Sequence, residues 1–147
     1  MSGLLLLIAL LNGDFSDGLK HWQADAGWSA KRGAAVLSLD NRAGAGTQGT
    51  NLCSDPVLAH AGQLRGGATV KTNVGGYVFV GVKWYDKRGN VLWTEMLTSG
   101  ESKEGHNVRL TFVTDKPRNA AHVSFCFFGG AYAGETFTAR VDNAELK

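Results

Sequence analysis

Short segments in which apolar and polar residues alternate recur along the chain, and Gly, Asn or Asp bounds most of them. The clearest covers residues 77–85, YVFVGVKWY, and a turn at 86–90 separates it from a second apolar segment at 91–98. Residues 107–114 alternate in the same way, since Val108, Leu110 and Phe112 fall on one face of an extended chain. This period of two predicts β-strands, and we find no convincing long segment with the helical period.

Further strands are predicted between the turn signals on either side of these segments. They cover residues 5–11, 22–26, 28–31, 35–40, 51–53, 57–59, 63–72, 122–128 and 137–146. Segments 41–50 and 129–134 are predicted to be loops because of their glycines. With the shortest pieces merged, about nine or ten strands at this spacing predict an all-β, two-sheet antiparallel β-sandwich. A jelly roll is the favoured topology, and an immunoglobulin-like sandwich is the alternative.

Length and composition define the domain and restrict its partners. The 147 residues contain no linker, which predicts a single β-sandwich domain over 1–147 with residues 1–3 as a tail. Hydrophobic residues make up 44% of the chain, enough for a core, so a disordered chain is excluded. The net charge of +2 does not indicate a nucleic-acid partner. The densest basic stretches, 83–88 and 116–118, are interpreted as solvated turns.

The apolar run at 4–11, LLLLIALL, resembles the hydrophobic part of a secretion signal. No Lys or Arg precedes it, however, and no small-residue cleavage motif follows it. It is also too short to cross a membrane, which takes about 20 residues. We therefore expect this run to form a buried first strand, and we expect no membrane partner.

Cys53 and Cys126 are the only cysteines, and their wide separation in the sequence excludes a CxxC motif. Two interpretations stay open. They are free thiols buried in strands, or they form one disulfide in an oxidising compartment. Of the two, the free-thiol interpretation is favoured.

Motifs for catalysis are absent from the sequence. The histidines have no metal-ligand spacing, and neither a GxSxG elbow nor a phosphate-binding loop occurs. Several glutamates supply carboxylates, but a glycosidase needs two of them at a defined separation that a sequence does not encode. The chain is therefore predicted not to be an enzyme, although it fits a module of a glycoside hydrolase.

Four segments in consistent order carry a resemblance to a known family. They are LLNGDF at 10–15 with Gly18, Leu19 and Trp22; VGVKWYDKRGNVL at 80–92; Pro117, Ala120 and Val123; and VDNAEL at 141–146. Together they resemble carbohydrate-binding modules of the galactose-binding-like jelly-roll type. The similarity is greatest to families 4, 9, 16 and 22, which are attached to xylanases and glucanases.

The resemblance implies a non-catalytic module that binds a polysaccharide or oligosaccharide, in an extracellular or secreted protein that can contain further domains. It also implies a structural Ca²⁺ near the first and last strands. Because Ca²⁺ prefers oxygen ligands, Asp14, Asp40 and Asp142 are the candidates. Ser16 departs from the pattern, since many family members have Glu there.

Aromatic rings with flanking polar side chains are the candidates for sugar binding. In segment 77–85 the even-numbered positions are all apolar and predict the core, whereas the odd-numbered positions mix aromatic, Gly and Lys residues. We expect the binding groove to be lined by Tyr77, Lys83 and Tyr85, with Trp93, Glu95 and Arg109 as neighbours across strands. Gly81 on that face is expected to leave room for a ligand.

Two loop residues, Trp28 and Tyr132, are candidates for an aromatic rim, and Trp22 is assigned to the core. Other functions stay open because a fold does not determine an activity. One is a structural or adhesion domain of a larger phage or surface assembly. Another is a small polysaccharide lyase or glycosidase on the same scaffold.

Overall fold

A computed structural model describes residues 10–100 and 105–147, and these residues form eleven strands. The strands are β1 (Trp22–Ala24), β2 (Trp28–Ala30), β3 (Ala35–Asp40), β4 (Gln48–Ser54), β5 (Val57–Leu58), β6 (Gln63–Thr72), β7 (Gly76–Tyr85), β8 (Val91–Ser99), β9 (Val108–Asp115), β10 (His122–Ala131) and β11 (Thr136–Leu146). Within the described ranges, no helix has the length and apolar character needed to cross a membrane.

The strands pair into two antiparallel sheets that pack face to face. The six-stranded sheet has the order β1-β4-β10-β7-β8, and β5 pairs with β10 beside this path. The five-stranded sheet has the order β2-β3-β11-β6-β9. Strands distant in sequence are therefore neighbours in both sheets, which gives the jelly-roll sandwich predicted from the sequence.

The core lies between the sheets and is built from alternate residues of the central strands. In β7 the inward residues are Val78, Val80, Val82 and Trp84, and the last three are fully buried. Phe125 and Phe127 of β10 pack beside them, with ring centroids 5.1 Å apart. The predicted division of segment 77–85 into a core face and an outer face is thus confirmed.

The start of the chain is attached to its end. The backbone N–H of Ala144 donates to the carbonyl of Gly13 at 2.9 Å. Phe15 is buried against Trp22, with ring centroids 4.9 Å apart, which confirms the core assignment of Trp22. Residues 5–9 of the predicted first strand lie outside the described residues, and Leu10 and Leu11 do not continue a strand. The turn expected at residues 12–14 is confirmed and begins at Leu11.

The predicted bounds of β3 and β6 are confirmed, whereas β4 and β10 are longer than predicted. Segments 48–50 and 129–131 were expected in loops, but Gly129 and Gly130 continue β10 by pairing with Thr50 and Gly49. Glycine lacks a side chain to pack, so it weakens a strand signal in the sequence. Here the space above Gly130 is filled by the ring of Tyr77, which supports the extended backbone.

Cys53 of β4 lies opposite Cys126 of β10, and the two residues form a disulfide. The favoured free-thiol prediction is therefore wrong. Its physical reason is the register of the two strands, which brings the Cα atoms within 4.1 Å although 73 residues separate them in sequence. The disulfide packs with Phe128 and Phe79 on the outer side of the six-stranded sheet.

Candidate functional site

The outer side of the six-stranded sheet carries the candidate site, which we call the aromatic face. It is formed by outward residues of β7 and β10, the two central strands of that sheet. They are Tyr77, Phe79, Gly81, Lys83 and Tyr85 on β7, and His122, Ser124, Cys126, Phe128 and Gly130 on β10. Alternation along each strand places them on one surface, because the residues between them face the core.

The rings at one end of the aromatic face form a cluster. The Tyr77 ring lies over Gly130, where an added Cβ atom would come within 2.5 Å of the ring. Phe79 packs edge-on against Tyr77, with centroids 5.7 Å apart, and the Tyr132 ring lies 6.1 Å from Tyr77. Tyr132 is 47% exposed, as expected for a rim residue. The cluster offers accessible ring surface against which the C–H groups of a sugar can pack.

The other end of the same face is polar. The Ser124 hydroxyl lies 3.2 Å from the hydroxyl of Tyr85 and donates a hydrogen bond to it. Lys83 lies opposite Ser124 and is half-buried, and His122 lies opposite Tyr85. Lys83, Tyr85 and His122 are partly exposed and can form hydrogen bonds with sugar hydroxyls, whereas Ser124 is fully buried and holds the Tyr85 hydroxyl. The disulfide separates the polar end from the ring cluster, so the face offers both kinds of contact along β7.

Gly81 has a role different from the one expected. A Cβ atom at this position would collide with the backbone carbonyl of Glu95 on the neighbouring strand β8. The pairing of β7 with β8 shifts register between Val80 and Gly81, and the missing side chain allows the close approach of the strands. Gly81 is thus required by the bulge between two strands rather than by a ligand.

Trp93 and Glu95 do not lie on the aromatic face, so the prediction that they neighbour it is wrong. The register pairs Trp93 with Trp84 and Glu95 with Val82, and both partners face inward. The outward neighbours on β8 are instead Thr94 and Met96. At this open edge, the Trp93 indole N–H donates to the Glu95 carboxylate at 2.9 Å, and Trp93 stays 45% exposed. That Trp93 and Glu95 bind sugar stays a prediction, and their position away from the aromatic face does not support it.

Arg109 and Trp28 also lie away from the aromatic face. Arg109 is on β9 in the five-stranded sheet, where its guanidinium donates to the carbonyl of Asn143 at 2.7 Å. Trp28 is only 8% exposed and packs into the core against Phe127, with centroids 6.2 Å apart. Because β2 continues the five-stranded sheet, this tryptophan forms part of the core rather than a rim.

The three candidate calcium ligands are not gathered at one point. Asp40 lies opposite Thr136 at the start of β11, six residues before Asp142, which corresponds to roughly 20 Å along a strand. Bidentate hydrogen bonds from Arg42, at 2.9 and 2.8 Å, lower the pKa of Asp40 to about 2. Asp14 and Asp142 each accept a bond from a nearby backbone N–H.

No group of three or more Asp, Glu, His or Cys residues that could hold a metal ion is found within 10–100 and 105–147. Ca²⁺ takes six to eight oxygen ligands, so the three aspartates do not fit as one shared site. Calcium binding therefore stays a prediction. It is limited to the edge where the backbone of Gly13 bonds to that of Ala144, because Asp14 directly follows Gly13 and Asp142 lies two residues before Ala144.

Several residues of the face were missed in the sequence. Phe128, Ser124 and the disulfide become visible once β10 is divided as β7 was, because Val123, Phe125 and Phe127 form its apolar set. That alternation in HVSFCFFGG was a usable signal. Asn51, which lies opposite Phe128, had no such signal, because the pairing of β4 with β10 is not encoded locally.

No protein-family model matches the chain, and no curated protein matches it significantly in sequence. Solved structures with the same architecture do match. A family 16 carbohydrate-binding module is 18% identical, with a TM-score of 0.62 over 94% of this chain and 98% of that one. The CBM22-1 xylan-binding domain of Paenibacillus barcinonensis Xyn10C is 10% identical, with a TM-score of 0.59 over 95% and 92%. The fold is that of jelly-roll carbohydrate-binding modules.

The same fold occurs inside a larger protein. The enzymatically active domain of bacteriophage CBA120 tailspike protein 4 is 13% identical, with a TM-score of 0.67 over 95% of this chain. This chain spans only 21% of that structure. At these identities the similarity concerns architecture, so function has to be argued from the residues on the surface.

Proposed function

We propose that this chain is a non-catalytic carbohydrate-binding module that binds a polysaccharide on the aromatic face. The main support is that one face carries the ring cluster of Tyr77, Phe79 and Tyr132 at one end and the partly exposed polar side chains of Lys83 and Tyr85 at the other. Sugar-binding surfaces need this combination, since ring faces hold the C–H groups and polar atoms select the hydroxyls. The shared fold with modules named for carbohydrate or xylan binding is consistent with it.

Binding to a panel of soluble polysaccharides tests the proposal. Native gels containing xylan, mixed-linkage β-glucan, mannan or galactan should retard the protein with at least one polymer. The double variant Y77A/Y132A should bind this polymer with an affinity lower by about tenfold or more, which is the loss expected when two stacking rings are removed. Incubation with the same polymer should release no shorter product, whereas product formation would favour a lyase or glycosidase.

The variant W93A is the matched control, because Trp93 is an exposed aromatic residue outside the aromatic face. It should bind as the wild type does. If W93A loses binding while Y77A/Y132A keeps it, the site lies on the open edge of β8 and the proposed face is wrong. If no glycan binds the folded protein, the carbohydrate proposal fails.

An extracellular location is part of the proposal. The disulfide between Cys53 and Cys126 supports it, because such bonds persist in oxidising compartments and are rare in the cytosol. Labelling with a thiol reagent after rapid acid quenching of cells would test it. Protein recovered from its native location should be unlabelled, and complete labelling would contradict an oxidising location.

A structural Ca²⁺ is proposed only for the edge near Asp14 and Asp142. If an ion binds the folded state there, EDTA should lower the melting temperature by several degrees, because ligands that bind only the folded state stabilise it. The variant D142N should lose this sensitivity, whereas D40N should retain it since Arg42 occupies Asp40. An unchanged melting temperature in EDTA would remove calcium from the proposal.

A second candidate is a structural domain of a larger assembly, and an exposed apolar edge favours it. Trp93 and Val91 of β8 and Val113 of β9 are all at least 45% exposed. The two strands are adjacent across the sandwich, where the Thr114 hydroxyl donates to the Glu95 carboxylate at 2.8 Å. Exposed apolar patches often mark protein contacts. Self-association measured by light scattering, and abolished by W93A/V113S, would support this function.

A further inference from the structure

Two turns of similar sequence meet at one end of the sandwich. One follows β7 and reads DKRGN at 86–90, and the other precedes β10 and reads DKPRN at 115–119. They are brought together because β7 ends where β10 begins: Tyr85 pairs with His122, and the Ala121 N–H donates to the Tyr85 carbonyl at 2.8 Å. The two turns are 25 residues or more apart in the sequence, whereas the fold makes them one surface.

The two turns line a cavity of about 590 Å³ in which positively charged side chains outnumber carboxylates. Its cations are Lys87, Arg88, Lys116 and Arg118. The carboxylate in the lining is that of Asp86, which accepts hydrogen bonds from the backbone N–H groups of its own turn at 2.9 Å. None of the four cations forms a salt bridge with a carboxylate in the described part of the chain. Such a surface attracts anions.

The walls of the cavity argue against a nucleic-acid ligand. Proteins that hold single strands stack bases on aromatic side chains, and among the described residues no aromatic side chain lines this cavity. Its apolar lining consists of Leu58 and three small residues, Ala59, Ala120 and Ala121. A group that carries charged oxygens on a compact, non-planar ring fits this lining better than a flat base.

The cavity adjoins the aromatic face. The outward residues Lys83 and Tyr85 occupy the end of β7, and Lys87 and Arg88 follow directly in the turn. A polymer that lies along β7 therefore passes from ring surface to polar groups and then to four cations. Arg and Lys bind carboxylate and sulfate oxygens through charge-assisted hydrogen bonds.

We propose that this cavity is an anion subsite that binds the acidic groups of a polysaccharide whose uncharged rings pack on the aromatic face. The inference rests on the proposed carbohydrate binding and narrows its ligand to an acidic polysaccharide, carboxylated or sulfated. The neutral contacts provide retention, and the subsite provides the preference for acidic chains.

Binding should be compared between a uronate polysaccharide and the same polymer after its carboxyl groups are reduced to alcohols. Dextran and dextran sulfate form a second pair that tests sulfate as the source of the charge. The wild type should bind the acidic member of at least one pair about tenfold more tightly at low salt. This preference should diminish as ionic strength rises, because the four cations are near solvent.

The variant R88Q/R118Q should lose that tenfold preference and keep the affinity for the neutral polymer. The matched control R65Q/K147Q removes the same charge from the opposite sheet, where Arg65 and Lys147 line a different cavity. It should retain the preference. Circular dichroism of both variants should match the wild type, since these side chains are exposed.

Three results would overturn the inference. The first is equal binding of the acidic and the reduced polymer. The second is a loss of the acidic preference in R65Q/K147Q that equals the loss in R88Q/R118Q. The third is binding of single-stranded DNA that is as tight as binding of the acidic polymer and equally sensitive to R88Q/R118Q. Failure of the proposed function looks different. In that case Y77A/Y132A would not affect any glycan, while acidic polymers would still depend on Arg88 and Arg118.

Discussion

The two outer surfaces of the sandwich have the same strand geometry and opposite chemistry. The outer side of the five-stranded sheet, which we call the charged face, carries Lys71, Arg109, Arg140, Asp142 and Glu145. Arg109 and Arg140 donate to nearby carbonyls, and Glu145 lies 3.5 Å from Arg109 and 3.7 Å from Lys147. The aromatic face instead carries rings, glycines and a disulfide, with Lys83 and His122 at its polar end.

This difference indicates which face has side chains available to bind a ligand. Arg109, Arg140, Asp142 and Glu145 on the charged face already have partners, which a ligand would have to displace. The ring surfaces of Tyr77 and Tyr132 contact other rings at their edges but stay partly exposed. Covering exposed ring surface with a ligand lowers the free energy of the complex. The aromatic face is therefore the better ligand-binding site of the two.

The largest expected effect comes from removing the disulfide beneath the aromatic face. The variant C53A/C126A should lose ~4 kcal/mol of unfolding free energy, because the bond closes a loop of 73 residues in the unfolded chain. Urea denaturation followed by tryptophan fluorescence measures this loss. Wild-type protein in a strong reductant should behave like the variant, and an unchanged midpoint in both would show that the bond adds no stability.

The next largest effect is expected from displacing the Tyr77 ring without removing it. In G130A the new methyl group would lie 2.5 Å from the end of the Tyr77 ring, which must move away from the sheet. Since the ring end can swing outward, we expect glycan retention to fall about tenfold with little change in stability.

The variant G49A is the control for G130A. Gly49 lies opposite Gly130 on the neighbouring strand, but a Cβ atom there meets its nearest neighbours at 3.9 and 4.0 Å, ordinary contact distances. It should bind as the wild type does. Equal retention by G130A and G49A would mean that the position of the Tyr77 ring does not matter for binding.

The sequence predicts the strands and the faces within a strand better than the relations between strands. Alternation in YVFVGVKWY was sufficient to separate Val82 and Trp84 from Lys83 and Tyr85. The neighbours of that face were not predictable. Register depends on the bulges between β7 and β8, and the sheet to which β9 belongs depends on the long-range topology.

The same limit explains the disulfide and the basic cavity. Cys53 and Cys126 are paired by the register of β4 with β10, which no local pattern encodes. The turns at 86–90 and 115–119 each look like an ordinary solvated turn, and their charges add only because β7 and β10 are adjacent. Local rules describe each segment, whereas these sites arise from pairs of segments.

A smaller effect is expected on the charged face. The variant E145Q removes the carboxylate shared by Arg109 and Lys147, and we expect a loss of only ~0.5 kcal/mol, because all three groups are partly exposed to solvent. Glycan retention should not change. A loss of retention in E145Q, measured on the same gels as Y77A/Y132A, would show that the charged face takes part in binding.

The smallest effect concerns Asp40, whose pKa is lowered from its ordinary value of 3.8 to about 2 by hydrogen bonds from Arg42. A lowered pKa in the folded state means that the pair contributes stability above pH ~4, and that this contribution disappears as the pH falls through 2. The variant R42A should return the pKa of Asp40 towards 3.8, as measured by NMR titration of its carboxyl group. Because the carboxylate is fully exposed, thermal unfolding at neutral pH should barely change. A pKa of Asp40 that stays near 2 in R42A would mean that groups other than Arg42 lower it, and that the two side chains are not paired in solution.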